Sequence, residues 1–294
     1  MRNLESITNT IINGDCRTVM NEMEERCIDL IVTSCPYGVG IKYDVHDDEM
    51  YIDEYLKFSE EWLTSAFRVL KSDGRIALNI PYEINLKDRG GRVFIVSEIW
   101  NIMKKIGYKW FGIVDLEEDS PHRSKTTAWG SWMSPSQPYI YNPKECILIA
   151  YKEQPKKINK GTPQWVGESG QVADKDNPAF FRNKTIYDDN DKKEFMELVF
   201  GQWKYLNDSR PLTKATFSMD IPTKAIKILS FKEDIVMDPF MGSGTTALSA
   251  EFLGRKWIGI ELSEDYTNTA NQRISNYRAK LSQIELELKE VRKF

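Results

Sequence analysis

One stretch, Asp238-Pro239-Phe240-Met241-Gly242-Ser243-Gly244-Thr245-Thr246, constrains the fold of this chain more than any other. It follows the short apolar run Asp234-Ile235-Val236-Met237, of strand length, and leads into a helix-like run from Thr245 to Phe252 that Gly254 can close. Strand, glycine turn and helix in that order are half of a βαβ unit, so an α/β architecture with a doubly wound sheet is expected. Gly242 and Gly244 let the loop turn sharply and bring its backbone against a ligand.

The neighbours of the loop narrow the ligand. Gly242-Ser243-Gly244-Thr245-Thr246-Ala247 fits the dinucleotide fingerprint G-x-G-x-x-A, but the loop opens on a carboxylate, Asp238, which repels pyrophosphate and suits an ammonium or a sulfonium. No Lys follows the last glycine, which disfavours a phosphate-binding loop. Seventeen residues beyond Gly244, a second apolar run, Trp257-Ile258-Gly259-Ile260-Glu261, ends on an acid placed to accept from ribose hydroxyls. S-adenosylmethionine carries both cations and a ribose. Its expected contacts are Asp238, Pro239, Phe240, Gly242, Ser243, Gly244, Thr245 and Glu261. Asp15, at the end of the strand-like Ile11-Ile12-Asn13-Gly14, can meet the adenine amine or simply cap the helix that begins at Cys16.

With 294 residues, 41% hydrophobic and 29% charged, the chain suffices for one substantial core or a core plus an insert. Cys16, Cys27, Cys35 and Cys146 lack C-x-x-C spacing, and His46 and His122 stand apart, so neither a disulfide framework nor a metal site is expected. The N-terminus lacks an apolar signal core and no apolar run reaches the roughly 18 residues that span a bilayer, so no membrane contact and a cytoplasmic location are expected. The net charge of −4 speaks against indiscriminate nucleic-acid binding. Between Ser120 and Lys214, however, fifteen basic residues face eleven acidic ones. A polyanion-facing middle and an ordinary solvated surface both fit that surplus.

The chemistry is expected where Cys27-Ile28-Asp29-Leu30-Ile31-Val32-Thr33, a buried-strand pattern, runs into Ser34-Cys35-Pro36-Tyr37. A polar residue, a Pro and an aromatic at a strand's C-terminal end form a rigid rim where α/β sheets bind ligands. Ser34-Cys35-Pro36-Tyr37 resembles the S/D-P-P-Y motif of amino-group DNA methyltransferases, and Asp238 to Thr246 resembles their cofactor motif. The catalytic motif comes first, as in the family's β arrangement. Thr127 to Trp132 and Glu145 to Lys152 also resemble segments of the catalytic half.

The resemblance implies a Rossmann-like methyltransferase sheet with an inserted target-recognition region: a catalytic half at 1–152, the insert at 153–202 and a cofactor-binding half at 203–294. It implies S-adenosylmethionine as methyl donor and double-stranded DNA with a flipped target base as partner; separately, the charged helix pattern from Tyr266 to Phe294 fits either packing support or an oligomer contact, with a homodimer as one option. Ser34 Oγ and the Cys35 carbonyl would accept the hydrogens of an exocyclic amine, Pro36 would stiffen the rim and Tyr37 would stack on the base. Ser at the first position is associated chiefly with cytosine N4, Asp with adenine N6, so N4-cytosine is expected ahead of N6-adenine.

Cys35, where the family usually has Pro, raises C5-cytosine methylation through a thiolate, but that chemistry uses Pro-Cys with a separate Glu-Asn-Val, which this chain lacks. A non-catalytic nucleic-acid binder is the alternative from another class. DNA contacts are expected from Lys87, Arg89 and Arg92 in a basic glycine-containing loop, and from Arg182 and Lys184 in the insert, where no fold-bearing periodicity is visible. The family often has His-Pro before the cofactor strand; here the pair is Ile221-Pro222.

Overall fold

A computed structural model describes residues 2–37, 39–42, 47–85, 91–118, 134–136, 144–173, 181–206 and 217–291. Its strands, in chain order, are β1 (Thr10–Asn13), β2 (Ile28–Ser34), β3 (Val39–Lys42), β4 (Asp47–Glu49), β5 (Leu70–Pro81), β6 (Ile84–Asn85), β7 (Arg92–Val93), β8 (Lys109–Glu118), β9 (Glu145–Tyr151), β10 (Glu168–Ala173), β11 (Phe181–Ile186), β12 (Gln202–Tyr205), β13 (Ile235–Asp238) and β14 (Lys256–Glu261). The helices are α1 (Leu4–Ile7), α2 (Cys16–Glu22), α3 (Ile52–Val69), α4 (Ile95–Ile106), α5 (Asp189–Val199), α6 (Asp220–Leu229), α7 (Thr245–Phe252) and α8 (Glu264–Val291).

Eight strands form one sheet in the order β1-β14-β13-β2-β5-β9-β8-β12. Every neighbouring pair is parallel except those of β9, which runs against both β5 and β8. Alternate residues of each strand enter opposite layers, as the two-residue period of a strand requires. Ile31, Ile76, Leu78, Leu148 and Met237 pack with α2, α3 and α4 on one face, whereas Leu30, Val32, Ala77, Ile149 and Val236 pack with α6, α7 and α8 on the other. This is the doubly wound sheet expected from the sequence. Trp62 of α3 and Trp257 of β14 are essentially fully buried anchors of the two layers; truncating either to Ala removes contacts worth about 3–5 kcal/mol.

Two sequence expectations are corrected. Ser72-Asp73-Gly74 reads as a turn but lies inside β5: Ile28 pairs with Leu70 and Leu30 with Arg75, so residues 71–74 bulge from the ladder. Gly74 is required there, because a Cβ would come within 2.9 Å of the Lys71 backbone. The stretch 153–202 is not devoid of regular structure either. It contains the antiparallel pair β10–β11 and helix α5, capped by Asp188. Only Leu198 of α5 is buried, so no apolar stripe announces the helix. The boundary expected at 202/203 falls within β12, whose Trp203 is buried against the sheet.

The first part of that stretch is also bolted to the body. Buried Lys157 reaches Asp29 and Asp234, both at 3.5 Å, and Asp73 accepts from the Ile158 backbone at 2.6 Å. Among the described residues no helix is long and apolar enough to cross a membrane.

Candidate active site

The parallel strands β2, β5, β13 and β14 all end at one edge of the sheet. From β13 the chain winds towards β14, from β2 towards β5, so the loops after β2 and β13 part at a topological switch point, where open α/β sheets bind ligands. Because β9 alone runs the other way, its first residue, Glu145, arrives at the same edge, opposite Pro81 of β5. A cavity of about 930 Å³ opens there, lined by both loops.

The rim after β2 is a hydrogen-bonded cluster. Ser34 Oγ lies 3.1 Å from Tyr37 Oη, and Asn79 Nδ2 donates to Tyr37 Oη at 2.7 Å and to Glu145 Oε2 at 2.7 Å, with Ser34 Oγ at 3.5 Å. Ser34, Pro36, Tyr37, Asn79 and Glu145 all face the cavity. Cys35 does not line it; its thiol is packed in the core, 3.9 Å from Tyr55 Oη. Burial pushes that thiol up to about 12, so it stays protonated at neutral pH and is no nucleophile. Only the backbone carbonyl of Cys35 is available for the role expected from the sequence.

The loop after β13 is fastened by its own acid. Asp238 Oδ1 accepts from Thr33 Oγ1 at 2.6 Å and from the Phe240 backbone at 3.0 Å, and Oδ2 accepts from Thr246 Oγ1 at 2.6 Å. Burial outweighs these bonds and raises Asp238 to about 6. The acid is therefore first a structural knot of the loop; it accepts three hydrogen bonds, which leaves one of its lone pairs unused, and it lines the cavity. Glu261 likewise accepts from Gly242 N at 2.8 Å and Ser263 N at 2.9 Å, and burial raises its carboxyl.

The two glycines divide their work. Gly242, at φ +52°, lines the cavity, and a Cβ there would enter open space that a ligand can use. Gly244, at φ +83°, does not line it; a Cβ there would press on Ala270 of α8 at 3.2 Å, so this glycine serves close helix packing rather than ligand contact, a correction to the sequence reading. Arg273 of α8 donates to Ser243 O and Thr245 Oγ1 and holds the far side of the loop.

The cavity's charge fits a cation. Asp15, Glu54, Glu61, Glu145, Asp238 and Glu261 line it against Arg17 and Lys57, and Arg17 is paired with Asp15 at 2.7 Å and Glu61 at 2.6 Å. A pyrophosphate would meet this excess of carboxylates unfavourably, whereas a sulfonium with an ammonium and a ribose suits it. The donor set and the open space beside Gly242 thus fit S-adenosylmethionine. When bound, this cofactor supplies an electrophilic methyl group.

Comparison with known proteins agrees. The DNA methylase family of N6 and N4 enzymes matches over residues 28–272. The chain belongs to that family. It is 37% identical over 201 residues to the type II methyltransferase M.MjaVI of Methanocaldococcus jannaschii, covering 68% of this chain and 87% of the relative. A DNA modification methylase of Thermus thermophilus, TTHA0409, solved in complex with S-adenosyl-L-methionine, superposes with a TM-score of 0.63 at 20% identity, over 91% of this chain and 93% of that one. PvuII DNA methyltransferase, cytosine-N4-specific, gives 0.62 at 17% identity over 89% and 84%. The protein is an S-adenosylmethionine-dependent DNA methyltransferase.

The structure gathers most of the residues expected in this methyltransferase's site. Pro239, Phe240, Ser243 and Thr245 line the cavity beside Asp238, Gly242 and Glu261. Asp15 lines it too, but its carboxylate is engaged as the N-cap of α2, accepting from Arg17 N at 2.8 Å and pairing with the Arg17 side chain, which holds its carboxyl below the usual range. The capping alternative left open by the sequence is therefore realised.

The expected DNA contacts are dispersed. Arg92, on β7, is exposed and paired with Glu83. Lys184 is exposed on β11, opposite Gly170 of β10. Arg182 is described in its backbone alone, and Lys87, Arg89 and Thr127 to Trp132 lie outside the described residues.

Asn79 and Glu145 are the site residues that sequence reasoning missed. Each is a polar residue at the end of an otherwise apolar strand pattern, Arg75 to Ile80 and Cys146 to Tyr151. That interruption was the available signal.

Proposed function

We propose that this methyltransferase transfers the methyl group to the exocyclic N4 amine of a cytosine flipped out of double-stranded DNA, as the modification enzyme of a restriction-modification pair. The observation that carries the reading is Ser34: the hydroxyl form of the motif's first position, set on the cavity wall within hydrogen-bonding distance of Tyr37. The type II methyltransferase relative supports the modification role, and the cytosine-N4-specific PvuII enzyme supports the compatibility of this sheet with N4 chemistry.

An exocyclic amine is a poor nucleophile because its lone pair is delocalised into the ring. Ser34 Oγ and the Cys35 carbonyl, each accepting one N–H, favour a pyramidal nitrogen whose lone pair is free to attack, and they hold it in line. Pro36, next in the chain, fixes the backbone between these acceptors and Tyr37. A base within a duplex cannot reach a cavity at the sheet edge, so the target is extruded and its ring rests on Tyr37, a contact typically worth ~1–3 kcal/mol. Lys184, exposed on β11, and Arg182 on the same strand are assigned to the DNA backbone.

The test is mass spectrometry of nucleosides released from DNA treated with the purified protein and S-adenosylmethionine. N4-methylcytosine is expected. N6-methyladenine in its place would move the assignment to the other amine, and DNA binding without any methylated nucleoside would favour a non-catalytic binder.

A further inference from the structure

The amine activation above leaves two residues of the cluster, Asn79 and Glu145, without a task. Methylation of an exocyclic amine leaves the nitrogen with a surplus proton, which a serine hydroxyl cannot keep. Among the described residues, six carboxylates line the cavity. Asp238 and Glu261 are spent on Thr33, Thr246 and the backbone of the cofactor loop, Asp15 and Glu61 on Arg17, and Glu54 is exposed and accepts from the Tyr51 backbone. Glu145 alone among them is wired to the catalytic rim, through Asn79, which bonds Tyr37 Oη and Glu145 Oε2 at 2.7 Å each.

Asn79 is itself 2% exposed, and its Oδ1 is buried without a partner. A buried amide that leaves its oxygen unmatched, at a cost of about 1–3 kcal/mol, is held in place for its two N–H donors.

We propose that Glu145 is the proton acceptor of the transfer, reached from the target nitrogen through the hydroxyls of Ser34 and Tyr37, and that Asn79 is the residue that positions it. The inference rests on the reading of Ser34 as the amine's acceptor. In the balanced step the nitrogen lone pair forms the N–C bond and the electron pair of the broken C–S bond stays on sulfur. One N–H proton passes to Ser34 Oγ, the serine's own proton to Tyr37 Oη, and the tyrosine's to the Glu145 carboxylate, which later releases it to water. One positive and one negative charge vanish together, which favours the step where the carboxylate that accepts the proton is buried.

The surroundings suit this work. Burial raises the Glu145 carboxyl above its ordinary range, hydrogen bonds from Asn79 and Tyr37 pull it back, and Glu118 of β8 adds a like charge. Cys146, next along β9, is a buried thiol raised to about 12 and stays neutral. A base held nearer to neutrality accepts a proton more effectively than an ordinary carboxylate.

The experiment is single-turnover methyl transfer to unmethylated plasmid DNA, enzyme in excess and S-adenosylmethionine saturating at every pH so that the titration of Asp238 does not enter the rate, between pH 5 and 9, alongside infrared titration of the carboxyl band in the free protein. Wild type is expected to lose activity as pH falls through the raised Glu145 value. Glu145→Gln is expected to slow by about 10²-fold, to lose that acid limb and to lack the corresponding carboxyl band, with cofactor affinity retained. Glu145→Asp is expected to restore the limb.

Asn79→Ala removes a bond that lowers Glu145, so its limb and its band are expected to move to higher pH; this variant decides the matter if Glu145→Gln fails to fold. A Glu145→Gln protein with the wild-type rate and limb, or an Asn79→Ala protein with an unmoved limb, overturns the proposal. A product of N6-methyladenine would overturn the base assignment alone, because the proton balance is the same for both amines.

Discussion

Thr33 Oγ1 donates to Asp238 Oδ1 at 2.6 Å, so the residue immediately before Ser34 holds the acid that opens the glycine loop after β13. Both are buried, and their strands, β2 and β13, are neighbours in the sheet. The bond ties two motifs that are 205 residues apart in sequence into one rigid edge. Thr33→Val keeps the shape and removes the donor. An unmatched buried acceptor costs about 1–3 kcal/mol, so a lower melting temperature and cofactor affinity weakened by about tenfold at pH 7 are expected. Calorimetry on the folded variant with unchanged affinity would show that the two motifs are not coupled through this bond.

The raised value of Asp238, about 6 against the ordinary 3.8, sets a pH dependence. In the ligand-free protein this acid stabilises the fold fully below its unfolded value near 3.8, and that contribution is lost as pH rises through about 6. A cationic ligand favours the carboxylate, so binding below pH 6 has to release a proton. Affinity for S-adenosylmethionine is therefore expected to weaken, by up to about tenfold per pH unit, as pH falls below 6. Calorimetry from pH 5 to 8 measures it, with Asp238→Asn expected to bind weakly and to lose this dependence. Tighter binding on acidification would contradict the placement.

Two lysines of the middle stretch are expected to fail differently. Lys184→Glu, on exposed β11, should weaken DNA binding and flatten its salt dependence while cofactor affinity holds. Lys157→Met leaves Asp29 and Asp234 facing each other without their shared cation, although Lys71 still contacts Asp29 at 2.8 Å. Breaking such a buried arrangement typically costs about 3–5 kcal/mol. Chemical denaturation separates the two, and a Lys157→Met protein of wild-type stability would return residues 153–165 to the status of a detachable insert.

The doubly wound sheet was legible because β2, β9, β13, β14 and the second half of β5 are mostly apolar runs, the pattern of strands covered on both faces. The two site loops were legible because each ends such a run on a motif whose residue types carry their own chemistry. Helix α5 and strand β12 were not, since one buries a single residue and the other spans four.

Asn79 and Glu145 escaped because their partners come from other strands: the antiparallel course of β9, which delivers Glu145 to the sheet edge that carries Ser34, is a property of the assembled sheet. Asp238 was read as a ligand contact, and its bonds to Thr33 and Thr246, which make it the knot of the loop, depend on side chains brought together only by folding.

The central claim, that Ser34 activates the target amine by accepting its hydrogen, is tested most directly by the single-turnover rate of Ser34→Ala on DNA set against its equilibrium affinities. The substitution removes an acceptor used in the transition state and leaves the stacking face and the cofactor loop in place. The rate is expected to fall by about 10²-fold while the dissociation constants for DNA and S-adenosylmethionine change by less than about threefold. A Ser34→Ala enzyme that methylates at the wild-type single-turnover rate would contradict the claim and reduce the serine to scaffold.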